Sequence, residues 1–85
     1  MHRGVLAAIH HFPARRRSIE ELALKSENFR LLCTDLADAE AALGNWKSSD
    51  SPVRDERCAE YLSLVTALKA EILEFLDAEQ SNVAD

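Results

Sequence analysis

Residues 18 to 43 read SIEELALKSENFRLLCTDLADAEAAL. Within this stretch Ile19, Leu22, Ser26, Phe29, Cys33, Leu36, Glu40 and Leu43 recur at alternating spacings of three and four. Six of these eight are apolar, and Leu32 and Ala39 widen the stripe on one side. That period predicts a helix packed along its whole length against another element. Its start is marked by Ser18 and, three residues on, Glu21, the pattern of a capping box, with Glu20 and Glu21 suited to the positive end of the helix dipole. Gly44 and Asn45 predict a left-handed cap at its end. The rod so defined spans about 25 residues, or roughly 37 Å at 1.5 Å per residue.

Downstream, residues 44 to 51 are polar apart from Trp46 and form a turn-rich connection. Ser51 and Pro52 then supply an N-cap and a first helical residue, followed by the acidic Asp55 and Glu56. A second stripe follows at Cys58, Tyr61, Val65, Leu68, Ile72 and Phe75, flanked by Leu62 and Leu76. The fold class expected is all-α: an antiparallel two-helix hairpin over about 18–43 and 52–78, with residues 79–85 as a frayed tail. Facing residues then have numbers that add to about 95. Phe29 faces Val65 or Thr66, Leu36 lies beside Cys58 and Ala59, and Ile19 reaches Phe75 and Leu76. Cys33 lands near Leu62, offset by about a turn from Cys58, so both cysteines are expected as free thiols.

Upstream, residues 1–17 hold Arg3, Arg15, Arg16 and Arg17 and no acid. The remaining six basic and fifteen acidic residues give the rest of the chain −9, so a +4 arm and an acidic body make up the net charge of −5. With Pro13 interrupting any helix from Phe12, this segment reads as a mobile basic arm with a turn over residues 5–12. Its Arg-rich start loosely resembles a transit peptide. The apolar run of residues 5–9 is too short to span a membrane, and a cytoplasmic location is the expectation.

A chain of 85 residues has room for one small domain. Two helices make a thin core, and four leucines lie off the main stripes: Leu24 and Leu31, seven residues apart on the first helix, and Leu64 and Leu73 at the flanks of the second. Self-association is the simplest way to cover them, so the expected assembly is a homodimer closing a four-helix bundle. The plainer reading leaves them as scattered surface residues.

Little in the sequence carries chemistry. His2, His10 and His11 lie in the arm without a Cys or acid at metal-ligand spacing, so no metal or other cofactor is expected. Arg15, Arg16 and Arg17 read first as a charge match to acids of the chain or a partner subunit, and second as a phosphate contact. Glu40 on the core stripe is expected to pair with Arg54 and Arg57 near the loop, and Ser26 to relieve crowding by Phe29. Trp46 is either an exposed anchor or a lid folded over Leu43, the latter being favoured because a large indole gains most from burial. Cys33 and Cys58 read as small core residues. No phosphate loop or nucleophile grouping is present, and an enzyme is not expected.

The run from Phe29 to Leu36, continued by Ala39, Ala42, Leu43 and Trp46, then residues 57–61, Leu64, Val65, Glu71 and Ile72, resembles short bacterial helical-hairpin proteins of uncharacterised function. The resemblance covers about residues 26–76 and implies a helical hairpin in a bacterial cytoplasm, without an activity. The functional expectation is a non-enzymatic interaction or structural protein that self-associates, with Leu24, Leu31, Leu64, Leu73, Trp46 and the three arginines as contact residues. Its alternative is a small nucleic-acid-associated regulator acting through Arg15, Arg16 and Arg17.

Overall fold

The computed structural model describes residues 2–83, with side-chain surroundings through residue 79. The fold is all-α, as the periodicity predicts, but four helices stand where two were expected: α1 (Arg3–His11), α2 (Arg16–Lys25), α3 (Glu27–Lys47) and α4 (Arg54–Val83), with a 3₁₀ turn over Pro13–Arg15. The two longest, α3 and α4, lie antiparallel, and α1 and α2 pack against one half of that pair.

The segment expected as a mobile arm is helix α1. Val5, Ala8, Ile9 and Phe12 follow helical spacing, and Val5 and Ala8 are buried in the common core. The His2 ring nitrogen accepts from the Gly4 N–H at 3.1 Å, and the Phe12 N–H donates to the Ala8 carbonyl at 2.9 Å, so both helix ends are capped. A helix of nine residues is marginal alone, and its stability comes from α3. The approach is very close: a Cβ built on Gly4 would lie 2.6 Å from the Thr34 nitrogen and 2.7 Å from the Cys33 carbonyl carbon. Only hydrogen fits between those two backbones.

The predicted first helix is broken and begins early. The 3₁₀ turn feeds directly into α2 at Arg16, so Ser18 sits inside the first turn and the expected capping box does not form. The break falls at Ser26, which has extended backbone angles and whose Oγ accepts from the Phe29 N–H at 3.1 Å. Ser26 is therefore the N-cap of α3, not a spacer beside Phe29. Arg30 donates to the Ala23 carbonyl at 2.6 Å, satisfying the end of α2. The break lets α2 turn its own apolar face, Ile19, Leu22 and Ala23, into the core.

At the other end α3 runs through Gly44 to Lys47, because Gly44 does not take the left-handed conformation. The Ser51 Oγ accepts from the Val53 N–H at 3.3 Å, and α4 starts at Arg54, two residues later than expected. This longer α3 shifts the pairing. Phe29 packs edge-on against Phe75, with ring centroids 5.5 Å apart, and Arg54 donates to the Lys47 carbonyl at 2.9 Å. Facing numbers thus add to about 101–104, not 95, and the pairs expected between Phe29 and Val65 and between Leu36 and Cys58 are displaced. Helix α4 continues to Val83, past the predicted onset of fraying. Arg15 with Asp77 at 3.4 Å, and Lys25 with Glu79, tie its later turns to the segment around α2.

Phe29, Ile19, Leu36, Ile72, Leu76 and Cys33 are the largest fully buried side chains. Each large apolar group among them contributes about 1.5–3 kcal/mol. The two glycines make opposite predictions. Gly4→Ala forces α1 off α3 and is expected to cost about 1–3 kcal/mol. Gly44→Ala, on an exposed helix position with nothing within 4 Å of a new Cβ, is expected to gain about 0.5–1 kcal/mol. Urea unfolding followed by circular dichroism measures both, and equal effects of the same sign would contradict this assignment.

Candidate interaction surface

Burial is uneven along the 53 Å length of the molecule. Residues 40–64 hold no buried side chain, although they include Leu43, Trp46, Val53, Cys58, Tyr61, Leu62 and Leu64. The reason is geometric: α1 and α2 contribute Val5, Ala8, Ile19, Leu22 and Ala23 to the core at the half containing Phe29, Cys33, Ile72 and Leu76. Among the described residues, the distal half is two helices and a connection with no third layer.

On one side of the α3–α4 pair lies an open groove of about 370 Å³. Asp35, Asp38, Ala39 and Ala42 line it from α3, and Tyr61, Leu64 and Leu68 from α4. The alanines keep its floor low while Tyr61 and Leu64 form a wall. The two carboxylates lie at the end nearer the core.

The predicted contact residues do not form one surface. Leu24, Leu31, Leu64 and Leu73 are 85%, 55%, 45% and 38% exposed, so none is buried within the chain. Leu24 and Leu31 stand on different helices because of the break at Ser26, and their spacing of seven loses its meaning. Leu64 lines the groove, whereas Leu73, nine residues on, lies about half a turn round α4 on the opposite side. Leu24 borders a separate shallow hollow with Val5 and Ala23. Trp46 is on the last turns of α3, not in the connection, and is half-buried beside an equally half-buried Leu43. Sequence reasoning missed the groove because its lining depends on the shifted register and on two alanines that carry no signal of their own.

Three of the N-terminal arginines pair with acids of their own chain, two of them on the exposed surface. Arg15 is only 25% exposed in its side chain and faces Asp77, Arg16 pairs with Glu20 at 3.3 Å, and Arg3 pairs with Asp38. One terminal nitrogen of Arg15 is buried without a partner. Glu40 meets His11, Oε2 to Nε2 at 2.8 Å, instead of the expected Arg54 and Arg57. Those arginines bind Asp55 and Glu60 on their own helix. The displacement follows from α1, which brings His11 to Glu40, and from the longer α3, which moves the start of α4 away from it. Hydrogen bonding to Glu79 raises the Lys25 pKa above the ordinary lysine value, and Glu60 does the same for Arg57.

Among the described residues no three His, Cys, Asp or Glu side chains gather as metal ligands, and no helix is long and apolar enough to cross a membrane. Cys33 and Cys58 are free thiols, Cys33 buried and Cys58 half-buried. In the observed register they lie about twelve residues apart along the pair, roughly 18 Å, well beyond bonding range. Compared with family models, curated proteins and solved structures, the chain matches none.

Burial raises the Cys33 pKa from 9.0 to about 11, so at pH 8 it is a thiol shut away from solvent. Native protein treated with iodoacetamide at that pH is expected to alkylate at Cys58 first, and at Cys33 only after unfolding. Mass spectrometry of the intact chain reads this, and rapid double labelling would contradict the burial of Cys33.

Proposed function

We propose that this protein is a non-enzymatic interaction module that self-associates, two copies pairing through the distal halves of their α3–α4 hairpins to close a four-helix bundle. One observation carries the reading: residues 40–64 include seven large or medium apolar side chains and none is buried. A run of that length on two packed helices gains free energy when a second apolar layer covers it. A two-helix end presents two exposed seams, and a second two-helix end of the same kind supplies the missing layer.

The pairing of Arg15 with Asp77 and of Arg16 with Glu20 weighs against the alternative reading as a nucleic-acid-associated regulator, since two of its three arginines already face acids of their own chain. Sedimentation equilibrium across about 1–100 μM is expected to show a reversible monomer–dimer transition. Leu64→Glu, which places a carboxylate in the groove wall, is expected to shift the chain to monomer without loss of helicity. A monomer throughout that range would overturn the proposal.

A further inference from the structure

We infer that one side of α4, from Leu64 to Ala78, together with the facing turns of α3, is a docking face for a cationic amphipathic helix of a partner protein. The inference goes beyond the self-association proposed above. That reading concerns residues 40–64, and this face adjoins them on the side of the core.

Two hollows share this side of α4. Leu64 and Leu68 line the groove already described, and Glu71, Glu74, Phe75 and Ala78 line a second open hollow of about 410 Å³. Residues 64, 68, 71, 75 and 78 follow one another by alternating steps of four and three, which return to one face of a helix. The hollows therefore lie end to end over about 21 Å, the length of about four turns of a helix laid along α4. Ala39 and Ala78 leave room for a close approach, Leu64 is 45% exposed and Phe75 is half-buried.

Charge selects the occupant. The residues lining the two hollows include four carboxylates, Asp35, Asp38, Glu71 and Glu74, and no basic side chain. Asp38 is taken up by Arg3, whereas Asp35, Glu71 and Glu74 make no ion pair among the described residues. Apolar side chains bordered by uncompensated acids complement an apolar row flanked by Lys or Arg. The same face of a second copy does not, because in the observed register Asp35 and Asp38 lie level with about residues 63–69, next to Glu71 and Glu74. Stacked on itself in either direction, the face sets acid against acid. An extended peptide would need a strand edge to pair its backbone, and the described elements are all helical, so the occupant brings its own hydrogen bonds as a helix.

The full chain is titrated into three fluorescein-labelled peptides of about 16 residues: an amphipathic helix of Leu and Lys, the same residues shuffled so that the leucines share no face, and the first peptide with every Lys replaced by Glu. Fluorescence anisotropy at low salt is expected to show the amphipathic Lys peptide bound at least about tenfold more tightly than the shuffled one, and the Glu peptide unbound. Glu71→Lys and Asp35→Lys, at exposed helix positions, are each expected to weaken binding at least about fivefold, whereas Asp50→Lys, the same charge reversal in the connection before α4, changes it by less than about twofold. Circular dichroism confirms that each variant remains helical. Equal binding of the ordered and shuffled Lys peptides, or equal losses from Glu71→Lys and Asp50→Lys, would reduce the effect to diffuse surface charge and overturn the proposal. No peptide binding, with a monomer–dimer equilibrium that Glu71→Lys and Asp35→Lys do shift, would assign the face to a second copy and overturn the proposal while leaving self-association standing. A chain that binds the amphipathic Lys peptide as expected but stays monomeric would overturn self-association alone.

Discussion

The contact on which the rest of the structure depends is the one between the backbone of α1 at Gly4 and that of α3 at Cys33 and Thr34. Because no Cβ intervenes, α1 lies close enough for Val5 and Ala8 to enter the core beside Ile19, Leu22 and Phe29. Without that approach the first nine helical residues would be too short to hold their shape, and only α2 would cover the pair of long helices. With it, one half becomes a packed domain and the other is left as two helices. The division of the molecule into a sealed base and an open end begins at a single hydrogen atom.

Helix content was legible in the sequence to the degree that apolar periodicity was. The stripes through Phe29, Cys33 and Leu36 and through Val65, Leu68 and Ile72 are buried as their spacing requires. What escaped were decisions made by single polar or small residues with two competing uses. Ser18 and Ser26 are both plausible N-caps, and the earlier one carries the fuller signature, yet the chain caps at Ser26, where the break lets α2 turn its apolar face inward. Gly44 has the sequence of a helix stop and serves as an ordinary helical residue, which alone moves the pairing register by more than a turn. Gly4 carried no visible signal, because its role is set by a helix thirty residues away. The groove inherits these ambiguities, since its lining follows from the register.

The uneven charge of the sequence is likewise resolved within the fold. An acid-free segment of +4 beside a body of −9 reads first as a charge match to acids of the chain or a partner subunit and second as a phosphate contact. In the fold Arg3 meets Asp38, Arg15 meets Asp77, and His11 meets Glu40, each joining the N-terminal segment to one of the long helices. Exposed pairs of this kind contribute little individually, at most about 1 kcal/mol, but they fix where a short helix sits once apolar burial has brought it down. The charge segregation is thus a docking code between parts of one chain.

The same logic extends to the open end. At the base, a third and a fourth helix complete what two helices cannot bury, and the partner elements come from the chain's own first 25 residues. At the distal end no other described helix packs on α3 and α4, and apolar residues persist there on both. A solvated two-helix projection of purely structural purpose would gain from polar residues at Leu62, Leu64 and Val53, which are exposed and contribute nothing to the core. Under the self-association proposed above, their apolar character is accounted for by a second layer arriving from outside.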